Sequence, residues 1–233
     1  MKNYIRVLTF IYDTEIQAWE VPLFRGAVLN AMGDKANLLF HNHTNEGNFR
    51  YSYPLIQYKR LHGKAAIVCV EEGADVIGQF PSESAKELKI GERHVTCNIE
   101  KVVPARILVQ TWQQPFDYHV NRWLPLNSAN FQVYNSTDSV VERMVLLEKI
   151  LKGNLLAMLK GMKIHLEEQL EATITNISEP YTVEHKGLHL MAFNIDFSSN
   201  LSIPNNLGIG KNASLGYGVV HQIKTQNESQ NQD

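Results

Sequence analysis

The chain has 233 residues, of which 44% are hydrophobic and 20% charged, and its formal net charge is −2. This composition belongs to a folded globular protein of one large domain or two small ones. It argues against a protein that grips nucleic acid indiscriminately, since such proteins are strongly basic, but it leaves room for a local basic groove.

The first residues, "MKNYIRVLTFIYD", interrupt their apolar run at Arg6 and lack the continuous core and small-residue cleavage site of a signal peptide. No stretch approaches the roughly eighteen apolar residues of a membrane span, so a cytoplasmic protein without membrane contact is expected. "IRVLTFIY" (5–12) reads as a buried strand. Asp13 or Thr14 can cap "EIQAWEVPLFRGAVLNAMG", a helix perturbed at Pro22 and ended by Gly33. "FRYSYPLIQYKRL" (49–61) and "KAAIVCVE" (64–71) are strand-like runs that meet in a hairpin at His62-Gly63. A short helical or irregular piece follows from Gly73 to about Ser84, and "HVTCNIEKVVPARILVQTW" (94–112) returns to strand. Cys69 and Cys97 fall in strand-like contexts with no partner at metal spacing and read as buried, reduced thiols.

The second half repeats the β-α-β-β-α-β order loosely. "DYHVNRWLPLN" (117–127) reads as a strand, and Ser139 and Glu142 have capping-box spacing at the head of the strongest helix. Its Val141, Val145, Ile150, Leu151, Leu155 and Met158 recur near helical period, with Lys149, Lys152 and Lys160 on a solvated face. "ATITNIS" and "LHLMAFNIDF" read as strands, the latter alternating at Met191, Phe193, Ile195 and Phe197. The expected fold is α+β, two tandem ferredoxin-like βαββαβ domains with antiparallel sheets. Their expected bounds are 1–108 and 109–224, with a disordered polar tail over 225–233.

The motif with the most to say is "GIGKNASLGYGVV" (208–220). A P-loop would need Ser or Thr after Lys211, where Asn212 stands, and a different glycine spacing. The dinucleotide fingerprint is formally met by Gly208, Gly210 and Ala213. It must open a helix inside a βαβ unit with an acid some twenty residues on, and only a short apolar run and a polar tail follow. No cofactor is therefore expected. What remains is a loop leading into a last strand, "YGVVHQI". It is either a plain turn or an anion-facing backbone with Lys211, Asn212 and Ser214 as donors. No acid occurs from Phe197 to Asn227.

A second acid-free stretch, Gly47 to Val70, interleaves Arg50, Lys59, Arg60 and Lys64 with Tyr51, Tyr53 and Tyr58. That mixture suits single-stranded or looped RNA through phosphate contacts and base stacking, or an amphipathic strand with a basic outer face. Just upstream, "LFHNHTNEGNF" sets His41 and His43 two residues apart. Without a third ligand at a recognisable spacing no metal site is assigned, and histidines suit general acid–base work or plain hydrogen bonding.

Together these stretches resemble the RAMP superfamily of CRISPR-associated proteins, and within it the repeat-RNA processing endoribonucleases. "GIGKNASLGYG" follows that family's glycine loop, G-x-G-K-x-x-S-x-G-[YF]-G, and "LFHNHTNEGNFRYSYPLI" is similar to its first-domain histidine segment. The resemblance implies an enzyme that binds CRISPR repeat RNA and cuts the precursor into guide RNAs without metal, leaving 2′,3′-cyclic phosphate and 5′-hydroxyl ends. The alternative is a non-catalytic RNA-binding subunit of an effector complex. It implies His41 or His43 as base and Lys59, or else Arg50, as the group stabilising charge. RNA contacts carry over to Arg50, Arg60, Gly208, Gly210, Lys211, Asn212, Ser214, Gly216 and Gly218. Relatives place a tyrosine on the first helix as acid, whereas "FRGAVLNAMG" has none, so one histidine can serve as base and the other as acid. Further effector subunits and a second copy of the chain are the other partners this resemblance admits.

Overall fold

The computed structural model describes residues 3–32, 53–76 and 86–223. Two compact units are distinguished. The first takes in the chain to Leu108 together with Ala157–Ile164 and Ala213–Gly216, and the second holds the remainder.

The first unit contains β1 (Tyr4–Glu15), α1 (Val21–Met32), β2 (Ile56–Leu61), β3 (Lys64–Val70), α2 (Glu72–Val76), β4 (Lys86–Ile90), β5 (Arg93–Cys97) and β6 (Ile99–Leu108). Its main sheet has the order β2-β3-β1-β6, antiparallel throughout. With β6 as the fourth strand, that is the fourth-first-third-second order of a ferredoxin-like unit. The run "AAIVCV" in β3 is buried at every position, as a continuous apolar strand must be, and includes Cys69. Tyr12, Phe24 and Tyr58 meet edge to face at 5.6 and 5.9 Å, tying α1 to β1 and β2.

Several expectations shift here. β1 runs on to Glu15, so Asp13 and Thr14 lie in a strand, and Asp13 accepts from the Asn98 amide instead of capping a helix. Helix α1 begins at Val21 with Pro22 in its first turn, where the missing N–H costs nothing. The single strand expected over 94–112 is β5, β6 and the start of β7, and β4 pairs with β5 in a hairpin that the polar "KELKIGE" concealed. Strand structure over 49–61 begins at Ile56, and residues 49–52 and Gly33 fall outside those described.

The second unit contains β7 (Thr111–Trp123), α3 (Ser128–Ser136), the greater part of α4 (Val140–Gly161), β8 (Ala172–Ile177), β9 (Tyr181–His185), β10 (Leu188–Leu201) and β11 (Val219–Gln222). The sheet order β11-β7-β10-β8 repeats fourth-first-third-second, and β9 forms a hairpin with β10. The fold is α+β with two tandem ferredoxin-like units. On α4 Leu147, Leu151, Leu155, Met158 and Leu159 are buried, Leu151, Leu155 and Met158 as expected, whereas Val141 and Val145 are exposed. The expected stripe is thus buried from Leu147 onward and left open near the start of the helix. Lys149, Lys152 and Lys160 are exposed. In β10, Phe193, Ile195 and Phe197 point inward, and Phe197 stacks on Tyr118 at 5.2 Å. Helix α3 and strand β9 were not expected. Between β10 and β11 the second unit has no helix, and the glycine stretch occupies that connection. No helix among the described residues is long and apolar enough to cross a membrane.

Candidate functional site

The glycine stretch divides between the units. Residues 208–212 and 217–220 belong to the second and Ala213–Gly216 to the first. In the second unit, Gly208 bridges Val219, and Ile209 donates its amide to the Gly218 carbonyl at 2.9 Å. Gly218 has φ +61°, and a Cβ there would stand 1.9 Å from the Ile209 carbonyl oxygen. Gly210, at φ +81°, approaches the Trp123 indole, the Asn154 side chain and the Leu124 carbonyl, and the Lys211 amide donates to that carbonyl at 3.1 Å. These glycines are required because the backbone passes close to other backbone. Ile209 and Tyr217 are buried, while Lys211 is exposed. Asn212 takes a left-handed φ of +58° and holds a buried side-chain N–H2 that pairs with no other described atom.

In the first unit, Ala213–Gly216 lies along β2. The Tyr58 amide donates to the Ser214 carbonyl at 2.8 Å, Tyr58 and Leu215 form a parallel bridge, and the Lys59 ammonium donates to the Ala213 carbonyl at 2.8 Å. Lys59 has no exposed surface. Its burial lowers the ammonium pKa to about 7, because a low-dielectric site penalises the charge. This differs from the open, phosphate-facing cation that the resemblance implied. Gly216, at φ +79°, packs on the Val21 side chain, and Ser214 is buried. Arg60 is exposed and gives its Nε–H to the Ile16 carbonyl at 2.7 Å. Gly161 fits against Tyr53, where a Cβ would approach the tyrosine Cβ to 2.3 Å. His41, His43 and Arg50 lie outside the described residues.

The structure therefore brings Lys59 to the second half of the glycine stretch, and Lys211 and Asn212 to its first half.

A cluster that the sequence reading overlooked surrounds Tyr217. The Arg122 guanidinium lies over its ring at 4.5 Å, and His185 meets it edge-on at 6.0 Å. Partial burial, followed by Lys186 and Lys211, lowers the His185 pKa. The only sequence signal was the aromatic residue inside "LGYG". On the outer face of the second sheet, His119 Nδ1 meets Asp196 at 2.5 Å. Asn176 donates to the other oxygen of that carboxylate.

Comparison with known proteins covers nearly all of the chain. Residues 3–107 match the Cas6b N-terminal domain, and 110–223 match the Cas6b C-terminal domain. A crystal structure of Cas6b superposes with a TM-score of 0.86 at 26% identity, covering 94% of this chain and all of the other. A CRISPR RNA processing endoribonuclease Cas6b superposes at 0.72 with 22% identity, over 94% of this chain and all of that one. An uncharacterized Methanocaldococcus jannaschii protein, MJ0978, is 37% identical over 105 residues, which are 45% of this chain and 70% of the relative. With both halves matched in order, the chain belongs to the Cas6b family.

Proposed function

We propose that this chain is a cytoplasmic endoribonuclease that recognises a CRISPR repeat and cuts the precursor transcript into guide RNAs without a metal ion. The observation that carries the reading is membership of the Cas6b family through both halves of the chain. The match to a solved CRISPR RNA processing endoribonuclease agrees with it.

In this reading the 2′-oxygen next to the scissile bond attacks phosphorus, the bond to the 5′-oxygen breaks, and a 2′,3′-cyclic phosphate and a 5′-hydroxyl result. One of His41 and His43 takes the 2′-proton and the other returns a proton to the leaving oxygen. The Lys59 ammonium is committed to the Ala213 carbonyl, so charge on the phosphorane falls to Arg50. Arg60, Lys211, Asn212 and the backbone of Gly208–Gly218 hold the repeat. Lys211, exposed at the tip of a left-handed turn, makes the first phosphate contact.

The test is cleavage of a transcript of the host's own repeat in excess chelator, with end-group analysis. One discrete cut with the stated ends is expected. His41→Ala or His43→Ala should lower the rate by about 10² or more while binding persists. Cutting that requires added metal overturns the mechanism, and tight binding without any cut assigns the chain to guide holding in an effector complex.

A further inference from the structure

Among the Lys, Arg, His, Asp and Glu side chains of the described residues, Lys59 alone has no exposed surface. Glu20, nearly as buried, has an ion-pair partner in Arg93 at 2.6 Å, whereas Lys59 faces a neutral carbonyl. A buried ammonium without a counter-ion costs several kcal/mol, and a methionine of similar length would avoid that cost. Among the described residues the group makes one hydrogen bond and meets no carboxylate, so it stands where that bond matters. That bond and the Tyr58 amide bond grip consecutive carbonyls, those of Ala213 and Ser214. Left-handed residues stand on either side of the gripped segment, Asn212 at φ +58° and Gly216 at φ +79°. Residues 212–216 thus have both ends turned by their own backbone and their middle pinned to β2. Lys211, the exposed cation of the stretch, comes two positions before the pinned carbonyl.

We propose that Lys59 is a positioning residue for substrate binding: its ammonium fixes the course of Ala213–Gly216 and so presents the glycine stretch to repeat RNA in a preformed shape. The proposal rests on the endoribonuclease reading above. It separates Lys59 from the chemical step, since a side chain fully enclosed on a loop carbonyl does not reach the scissile phosphate. A preformed loop saves the entropy of ordering on contact, which is a binding effect.

The experiment compares wild type with Lys59→Met and Lys59→Gln, each first shown to be folded by circular dichroism. Loss of one charge-assisted hydrogen bond should raise the Kd for repeat RNA about tenfold in Lys59→Met, with the single-turnover rate at saturating RNA within about twofold of wild type. Lys59→Gln, which keeps an N–H donor, should recover part of the affinity. Should Lys59→Met fail to fold, Lys59→Gln carries the same comparison. An unchanged Kd in a folded variant overturns the proposal. A lower saturating rate at unchanged Kd also overturns it, and would place Lys59 at the reacting atoms. Amide exchange at Tyr58 in RNA-free protein supplies a second arm. It should quicken in Lys59→Met, and no change there overturns the proposal even if the chain proves to have no nuclease activity. Wild type that neither binds nor cuts the repeat refutes the nuclease reading alone.

Discussion

The two sheets share one strand order but are built differently. In the first, β3 is apolar and buried on both faces, and the unit gathers two short segments from far along the chain, Ala157–Ile164 and Ala213–Gly216. In the second, β10 alternates, with Phe193, Ile195 and Phe197 inside and Asp196 and Ser198 on the other face. That outer face carries a polar row, in which His119 of β7, Asp196 of β10 and Asn176 of β8 share one register line. A strand buried on both sides can accept added segments, whereas a strand with one wet face supports side-chain chemistry on a rigid floor. The same topology thus serves closure in one unit and display in the other.

The strongest way to break this contrast is to alter a glycine in each unit. Gly218→Ala forces a Cβ into the Ile209 carbonyl at a left-handed position and should cost about 3 kcal/mol, loosening β7–β11 amides in hydrogen exchange. Gly73→Ala places a Cβ 2.4 Å from the Leu55 carbonyl and should cost about 2 kcal/mol, with the loss confined to β2–β3. If each variant loosens both sheets alike, the two units unfold as one.

A finer probe uses protons. Lys59 has a folded pKa of about 7, below the roughly 10.4 of an unfolded chain, so between these values the unfolded state binds more protons. The residue's contribution to stability is therefore least favourable below pH 7 and improves as pH rises. Denaturant titrations from pH 6 to 9 should show wild type gaining on Lys59→Met by at most about 1.4 kcal/mol per pH unit. A difference that stays flat with pH refutes the buried ammonium.

The smallest effect belongs to the outer face of the second sheet. The hydrogen bond from His119 holds the Asp196 carboxyl below its ordinary range, so its contribution is present above the usual carboxylate pKa and lost as pH falls through the lower folded value. At this half-open site Asp196→Asn should change stability by less than about 1 kcal/mol and remove that acid-side slope. A loss of several kcal/mol would mean that the polar row is a core element and not a displayed one.

How far these features were legible depended on what carried the signal. The continuous run of β3 and the alternation of β10 could be read directly, because burial on two faces or one leaves its own period. On α4 the period and its phase were visible at Leu151, Leu155 and Met158, but not where burial begins: Val141 and Val145 fit the stripe, and packing leaves them exposed. The β4–β5 hairpin was missed because β4 offers two buried apolar residues, Leu88 and Ile90, too few to stand out among lysines. For the glycine stretch, the sequence marked close approach without naming its object. Gly210 and Gly218 answer to Leu124 and Ile209 of the protein itself, while Lys211 remains exposed. The long-range pairing of Lys59 with Ala213 left no local trace, since no period or spacing connects positions so far apart.

That pairing also bears on how the protein is made. Lys59 and Ala213 are separated by 154 positions, and the strand they close, β2, is an edge of the first sheet. A ribosome releases the other strands of that sheet long before it releases Ala213–Gly216. Until then β2 presents an unfinished edge of the kind that recruits other chains. That sheet is therefore completed only after the strands of the second unit up to β10 have emerged. Truncation before residue 213 should leave an aggregation-prone nascent protein, because the final seam of this sheet is encoded 154 codons downstream of the strand it closes.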